Sequence, residues 1–187
     1  MSKLDIKSAF CNVPVHPSDW ELLGMKWEGL YFFDMVLPFG LRSAPFLFDE
    51  FSSAVEWIIQ TKLNIPNVIH ILDDFFFATS PPRSKCMSAL CQILHLFAEL
   101  NIPIALGKTF PACTCLEFMG ILLDSNKMEA RLPVDKLTRL QAALGQWTNR
   151  KSATLQELQS LIGTLQFACK VVGQKNPHVV RQQVSGG

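Results

Sequence analysis

The stretch "HILDDFFF", residues 70–77, places two adjacent carboxylates, Asp73 and Asp74, inside an otherwise apolar run. The flanking runs "NVIHIL" and "FFFAT" predict two short strands joined by a tight hairpin. Asp tolerates turn conformations, so one interpretation is a surface turn without further function. Two like charges a few ångströms apart raise one of their pKa values unless a cation compensates them, so the other interpretation is a metal site.

A metal site at this hairpin would need a third carboxylate nearby. Mg²⁺ takes hard oxygen ligands, usually one or two carboxylates together with waters and substrate phosphates. A further carboxylate at the end of a neighbouring strand would complete a two-metal site. The strand candidate "SKLDI" ends in Asp5. The sequence therefore makes Asp5 the candidate partner of Asp73 and Asp74.

Composition places the chain among globular proteins. It has 187 residues, 49% apolar and 18% charged, enough to bury a sizeable core as one domain plus an appended element. Seventeen Lys and Arg against sixteen Asp and Glu leave a formal net charge of +1, which by itself indicates neither a nucleic-acid binder nor a membrane-surface protein. The six cysteines form no CxxC pair, which favours free thiols over a zinc site.

The first residues and the hydropathy predict where the chain works. Lys3, Asp5 and Lys7 stand where a signal peptide has its apolar core. No apolar stretch reaches the roughly 20 residues of a membrane span. We therefore expect an intracellular protein of the cytoplasm or nucleus, neither secreted nor bound to a membrane.

Strand and helix patterns alternate over residues 1 to about 125. "LYFFDMVL" (30–37) predicts a strand, and "CLEFMGILLD" (115–124) predicts a strand or a second hairpin. Ser43 and Ser84 predict the N-caps of two amphipathic helices. The alternation favours an antiparallel sheet backed by helices.

After residue 125 the pattern becomes purely helical. Leucines and Trp147 line one predicted helix, and Thr154 with Glu157 forms a capping box for another. The sequence thus predicts an α+β fold, with a sheet domain over residues 1–125 followed by a helical segment over residues 126–187.

Five ordered motifs of the chain resemble the palm motifs of reverse transcriptases. They are "LDIKSAF" (4–10), "LPFGLRSAPFLFDEF" (37–51), "ILDD" (71–74), "LGKT" (106–109) and "LEFMGILLD" (116–124). The stretches "DWELLGMKWEGLYFFDMVLPFGL" and "LQSLIGTLQFACKVV" are similar to the polymerases of DIRS-type retrotransposons, which integrate through a tyrosine recombinase. The resemblance extends from residue 2 to about residue 172.

The resemblance implies a catalytic centre for nucleotidyl transfer. Asp5, Asp73 and Asp74 would hold two Mg²⁺ ions, with Mn²⁺ as a substitute and the Ile6 carbonyl as an additional ligand. A primer 3′-hydroxyl would attack the α-phosphate of a dNTP and release pyrophosphate. Lys108 would donate a proton near the departing pyrophosphate, although as a lone lysine in a Gly-containing loop it is otherwise unremarkable.

The resemblance also implies substrate contacts. Phe10 would be a steric gate beneath the sugar, and the alternative is an ordinary core phenylalanine. Phe39 and Gly40 would pack near the dNTP and the template base. Arg42 would touch nucleic acid, and the alternative is a solvated loop charge.

A second hairpin is implied to hold the primer end. Phe118, Met119 and Gly120 occupy the primer-grip position, where backbone atoms do the holding and the apolar side chains also serve core packing. The implied partners are an RNA or DNA template-primer and dNTPs; the oligomeric state stays open.

Three departures from the family pattern shape what we expect of this chain. Ile71 stands where many relatives have Tyr, Met1 lies where the family has an upstream fingers subdomain, and the sequence beyond Val172 diverges. We therefore expect a truncated palm over residues 1–125 and a thumb- or connection-like segment over residues 126–187, with doubtful activity in isolation. A non-catalytic or co-opted remnant is the alternative, and a metal-dependent nuclease fits the motif order poorly.

Overall fold

The computed structural model describes residues 1–148 and 150–172. These residues belong to two compact units, Met1–Cys113 and Thr114–Gly187. The sequence placed the domain boundary later, after residue 125. The units divide earlier because the hairpin that begins at Cys115 pairs onward with a strand at residues 129–131. The divergent tail predicted beyond Val172 lies outside the described residues.

The first unit is built on a three-stranded antiparallel sheet. Its strands are β1 (Ser2–Asp5), β4 (Val68–Ile71) and β5 (Asp74–Phe77), in the order β1-β5-β4. A separate two-stranded hairpin is formed by β2 (Gly24–Trp27) and β3 (Leu30–Phe33). The strand predicted over residues 30–37 is therefore shorter than expected, and its partner β2 was missed.

Two long helices supply the apolar faces that cover this sheet. They are α1 (Ala44–Lys62) and α2 (Arg83–Glu99). Ser43 stands at the N-cap position of α1 without a side-chain capping bond, whereas Pro82, not Ser84, precedes α2. Both helices and the sheet contribute fully buried side chains to one core: Leu4, Phe48, Ile59, Phe75, Phe77, Ile93 and Phe97.

The second unit combines another antiparallel sheet with two helices. The strands β6 (Cys115–Phe118), β7 (Ile121–Asp124) and β8 (Glu129–Arg131) lie in the order of the chain. The helices are α3 (Val134–Thr148) and α4 (Leu155–Val172). The expectation of helix alone after residue 125 was thus wrong at β8, a three-residue strand too short to show a pattern.

The capping box predicted before α4 is present. The Thr154 backbone N–H donates to Glu157 Oε2 at 2.9 Å, and the Glu157 N–H donates to Thr154 Oγ1 at 3.3 Å. The Thr154 backbone bond, followed by those from Arg150 and the Thr154 hydroxyl, lowers the pKa of Glu157 to about 2.

The α+β class expected from the sequence is confirmed by this mixture of antiparallel sheets and helices. Short 3-10 helices also occur among the described residues, at Ala9–Asn12, Pro17–Leu23 and Leu106–Lys108. Across the part of the chain that the structure describes, none of the helices has the length and apolar character needed to cross a membrane.

Candidate active site

Strand pairing brings the three predicted carboxylates to one edge of the first sheet. Asp5, the last residue of β1, lies directly opposite Asp74, the first residue of β5. Asp73 sits in the turn just before, and its carbonyl accepts a hydrogen bond of 2.9 Å from the Ile6 N–H. A backbone bond therefore fixes the turn against the segment that follows Asp5.

The turn itself differs from the expected arrangement. Leu72 and Asp73 are its two central residues, because Ile71 and Asp74 are already paired across the hairpin. Leu72 has a φ of 54°, in the left-handed region that L-residues other than Gly, Asn and Asp rarely adopt. Asp74 is thereby released from the turn and becomes a strand residue facing the same way as Asp5.

Two lysines lie beside two of these carboxylates. Lys108 Nζ lies 3.0 Å from Asp5 Oδ2, and Lys3 Nζ lies 4.0 Å from Asp74 Oδ2. Burial raises the pKa of Asp74, the Lys3 charge opposes that shift, and the charges of Asp5 and Asp73 add to it. The hydrogen bond to Asp5, and then the Asp5 charge, raises the pKa of Lys108. Several carboxylates therefore lie close together at this end of the sheet, and the positive charges beside them are those of Lys108 and Lys3.

Lys3 was not recognised as a site residue from the sequence. The available signal was its spacing, since residues two apart on a strand share a face, and Asp5 lies two positions on. Lys3 Nζ also stands 5.1 Å from the centroid of the Phe110 ring, and this cation–π contact helps to position the ammonium group.

The structure brings two of the predicted substrate residues together. The Phe10 and Phe39 rings are tilted against each other with centroids 5.2 Å apart, and Phe10 also meets Phe48 of α1 edge to face at 5.6 Å. Phe39 is 82% exposed, so one side of this pair faces outward. Phe10 is thus neither a fully buried core residue nor an isolated surface ring.

The loop before α1 carries the other two predicted substrate residues. Gly40 has a φ of 91°, which favours glycine, and open space surrounds the position that a Cβ would take. Arg42 is exposed just ahead of the helix. The loop geometry leaves the guanidinium accessible and is compatible with both the nucleic-acid contact and the solvated charge.

The predicted primer-grip residues lie in the second unit, in the β6–β7 hairpin. Phe118 is buried, and Met119 and Gly120 form the turn with φ of 50° and 74°. Lys136 Nζ donates to the Gly120 carbonyl at 3.1 Å and stands 5.4 Å from the Phe167 ring centroid. The turn therefore presents backbone, and its Gly120 carbonyl is already held by Lys136 of α3.

A family model described as reverse transcriptase (RNA-dependent DNA polymerase) matches residues 1–123. The chain belongs to the reverse transcriptase family. The matched segment contains all three carboxylates, Lys108 and the second hairpin turn.

Viral polyproteins are among the relatives of this family member. The Pro-Pol polyprotein of feline foamy virus is 27% identical over 169 residues, covering 88% of this chain and 13% of the polyprotein. Protein P of heron hepatitis B virus is 25% identical over 170 residues, covering 88% of this chain and 20% of its own length. The chain therefore spans only a small part of the relatives it matches. The closer kinship to DIRS-type polymerases stays a prediction.

Solved structures of the family share the fold. A foamy viral protease-reverse transcriptase in complex with double-stranded DNA superimposes with a TM-score of 0.73 at 24% identity, covering 89% of this chain and 32% of that one. A second, in complex with an RNA/DNA hybrid, gives 0.71 at 24% identity, covering 89% and 21%.

The carboxylate edge has the chemistry that a divalent ion requires. Asp74 Oδ1 is buried and has no hydrogen-bond partner among the described residues. A buried carboxylate oxygen without a donor is costly, and a hard cation would satisfy it. Within the described residues, however, no three His, Cys, Asp or Glu side chains are already arranged around one metal position. The paired carboxylates of Asp5 and Asp74 nevertheless offer the oxygen donors that a hard cation takes, and Lys108 and Lys3 lie beside them.

Proposed function

We propose that this chain is the palm of an RNA-directed DNA polymerase, which transfers nucleotides from dNTPs to a primer 3′-hydroxyl under the direction of a template. The observation that carries the proposal is the pairing of Asp5 with Asp74 across β1 and β5, with Asp73 in the adjoining turn, in a chain of this family. Carboxylates that lie opposite each other on paired strands are suited to hold cations, which in turn bind substrate phosphates.

The three carboxylates would hold two divalent ions, which we infer to be Mg²⁺ with Mn²⁺ as a substitute. The unpartnered Asp74 Oδ1 supports this assignment, and the Ile6 carbonyl would be an additional ligand. Bound there, such ions would activate the attacking hydroxyl and stabilise the leaving oxygen. The chain's part is to hold the ions at the end of two paired strands, so that little reorganisation is needed.

Lys108 has a second task in this proposal. Lysine is protonated at neutral pH, and the hydrogen bond to Asp5 raises the pKa of Lys108 further, which favours the ammonium form that can donate a proton. Cations held by Asp5 would weaken its attraction for Lys108 and so make the Lys108 proton easier to give up. We propose that Lys108 donates this proton to the pyrophosphate leaving group.

The remaining assignments concern substrates. Phe10, held between the tilted Phe39 ring and the edge-to-face Phe48 ring, would form a rigid floor beneath the dNTP sugar. Phe39 and Gly40 would meet the dNTP and template base, and Arg42 would contact nucleic acid. The solved complexes of relatives with double-stranded DNA and an RNA/DNA hybrid support a template-primer as the partner.

Residues 1–125 would act as the palm and residues 126–187 as a helical thumb or connection segment. Phe118, Met119 and Gly120 would then hold the primer end through the backbone of the β6–β7 turn. The expected intracellular location stays a prediction.

The test compares Asp73→Asn with the unchanged chain, using Asp135→Asn as the matched control. Asp135 is a half-exposed carboxylate on α3 that pairs with Arg139 at 3.4 Å. Mn²⁺ binding is measured by electron paramagnetic resonance, and primer extension on an RNA template is measured with a fingers segment of a relative supplied.

We expect Asp73→Asn to weaken Mn²⁺ binding at least about tenfold and to abolish extension, because a direct ligand is lost. The Asp135→Asn control should change neither. Equal Mn²⁺ binding by all three proteins would overturn the metal assignment. Metal binding without extension would favour a non-catalytic role.

A further inference from the structure

A histidine occupies an inward position on the strand that leads to the carboxylate turn. Along β4, Val68 is buried and His70 has 10% of its side chain exposed, whereas Ile69 and Ile71 on the opposite face are 51% and 43% exposed. The alternation places His70 toward α1. It is the last inward residue before the turn, where an apolar side chain would be the ordinary choice.

Both ring nitrogens of His70 reach carboxylates of α1. Nδ1 lies 2.5 Å from Glu56 Oε2, and Nε2 lies 3.4 Å from Asp49 Oδ1. Asp49 and Glu56 are seven positions apart, which puts them on the same helix face two turns from each other. The imidazole therefore links β4 to two points along α1. Two such contacts restrict both sliding of the strand along the helix and its separation from the helix.

Neighbouring groups hold this bridge in place. Gln60 Nε2 donates to Glu56 Oε1 at 2.9 Å and to the Val68 carbonyl at 3.3 Å, so a second polar link joins α1 to β4. The His70 ring also stacks on Phe75 with centroids 5.4 Å apart. The imidazole thus contacts both strands of the hairpin and the helix behind them.

The bridge lies one step from the carboxylates along the hairpin register. His70 pairs with Phe75, and the next pair is Ile71 with Asp74. At the other end, α1 starts directly after the loop that carries Phe39, Gly40 and Arg42. A shift of β4 along α1 would therefore move the carboxylates relative to that loop.

We propose that His70 is a positioning residue, which locks the Asp73–Asp74 hairpin to α1 through Glu56 and Asp49 and so sets where the carboxylates stand. The inference rests on the proposed metal-binding function of that hairpin. An apolar residue at this position would fill the space but would allow the strand to slide by fractions of an ångström. Displacements of that size are costly where ligands and reacting groups must coincide.

The experiment compares His70→Leu, His70→Gln and Glu56→Ala. The matched control is His95→Leu, since His95 pairs with Glu99 at 3.2 Å on the exposed face of α2. Mn²⁺ affinity is measured for each chain, with thermal unfolding in parallel. Asp73→Asn is included to report on the metal site itself. With the fingers segment supplied, kcat and KM for the dNTP are also determined.

We expect His70→Leu to shift Tm by less than about 4 °C while weakening Mn²⁺ affinity about three- to tenfold. Glu56→Ala, which leaves the ring and the hairpin sequence intact, should weaken it similarly. His70→Gln should recover part of the loss, because its amide still reaches a carboxylate, and the loss should fall on kcat more than on KM. The His95→Leu control should bind Mn²⁺ as the unchanged chain does.

Two outcomes separate the inference from the function on which it rests. If Asp73→Asn weakens Mn²⁺ binding but His70→Leu and Glu56→Ala do not, the positioning role is wrong and the proposed function stands. If Asp73→Asn also leaves binding unchanged, the metal site fails. If His70→Leu does not fold, Glu56→Ala alone decides.

Discussion

The β4–β5 and β6–β7 hairpins have the same strand lengths and two-residue turns, but they expose different groups. In the β4–β5 turn only Leu72 has positive φ, and the residues that follow are Asp73 and Asp74. In the β6–β7 turn both Met119 and Gly120 have positive φ, and no carboxylate is present. The first hairpin presents charged side chains, whereas the second presents backbone.

The surroundings of the two turns match this difference. In the first, Lys3 lies 4.0 Å from Asp74, and the buried Asp74 Oδ1 has no hydrogen-bond partner among the described residues. The Gly120 carbonyl of the second already accepts a hydrogen bond from Lys136. Unsatisfied polar groups tend to mark places that a ligand completes. The comparison therefore favours ligand binding by the side chains of the first hairpin and a backbone role for the turn of the second.

The largest expected difference between the hairpins lies in their burial. Phe75 of β5 is fully buried, whereas Leu122 of β7 is half-buried. Phe75→Ala should lower the free energy of unfolding of the first unit by about 3–5 kcal/mol, because it removes a large side chain from a packed core. Leu122→Ala should lower that of the second unit by less than about 2 kcal/mol.

Denaturant unfolding of the two variants, monitored by circular dichroism and by the tryptophans, tests this ranking. Equal losses would contradict the view that the carboxylate hairpin is held by the deeper core.

Much of this contrast could be predicted from the sequence, since apolar runs on both sides of Asp73 and Asp74 required buried strands. The third carboxylate, Asp5, was also within reach, because it ends a short strand pattern. The turn was not: the sequence favours the two aspartates as turn residues, and only the pairing of Ile71 with Asp74 shows that Leu72 takes the strained position. Long-range pairing therefore overrode local turn preference.

Contacts between distant residues were similarly hidden. Lys3 beside Asp74 and His70 beside Glu56 depend on strand register and on the face of α1, neither of which a single sequence fixes. The strand β8 was missed because three residues carry too little periodicity.

The second expected effect concerns the backbone of the β6–β7 turn. Gly120→Ala should destabilise the second unit by about 1–3 kcal/mol, because Gly120 has a φ of 74° and an added Cβ would lie 1.9 Å from Lys136 Nζ. Lys136 would have to move and release the Gly120 carbonyl.

Gly145→Ala is the matched control, since Gly145 lies in α3 with open space around it. That change should stabilise the unit by about 0.5–1 kcal/mol, as alanine favours helix. Thermal unfolding of both variants gives the signs, and a neutral Gly120→Ala would remove the argument that this turn is built around its backbone.

The smallest expected effect isolates the charge of the β4–β5 hairpin. Because burial raises the pKa of Asp74 above the ordinary value of 3.8, its ionised form destabilises the metal-free fold. The penalty is absent below pH 3.8, develops as the pH rises through the folded-state pKa, and is complete above it. Asp74→Asn should therefore raise the Tm of the first unit at pH 7 in the presence of a chelator, with a gain that disappears toward pH 3.8.

Glu157 provides the opposite sign in the second unit, because hydrogen bonds lower its pKa from 4.5 to about 2. Its contribution to stability is present above pH 4.5 and is lost as the pH falls through about 2, so Glu157→Gln should lower Tm at pH 7. Under the proposed metal site, added Mn²⁺ should reverse the order of Tm at the first hairpin, stabilising the unchanged chain more than Asp74→Asn, because the variant would lack one of the proposed carboxylate ligands. A Tm gain from Asp74→Asn that persists with Mn²⁺ would mean that Asp74 contributes nothing to metal binding. The contrast between a ligand-binding first hairpin and a second hairpin that presents backbone would then lose its basis.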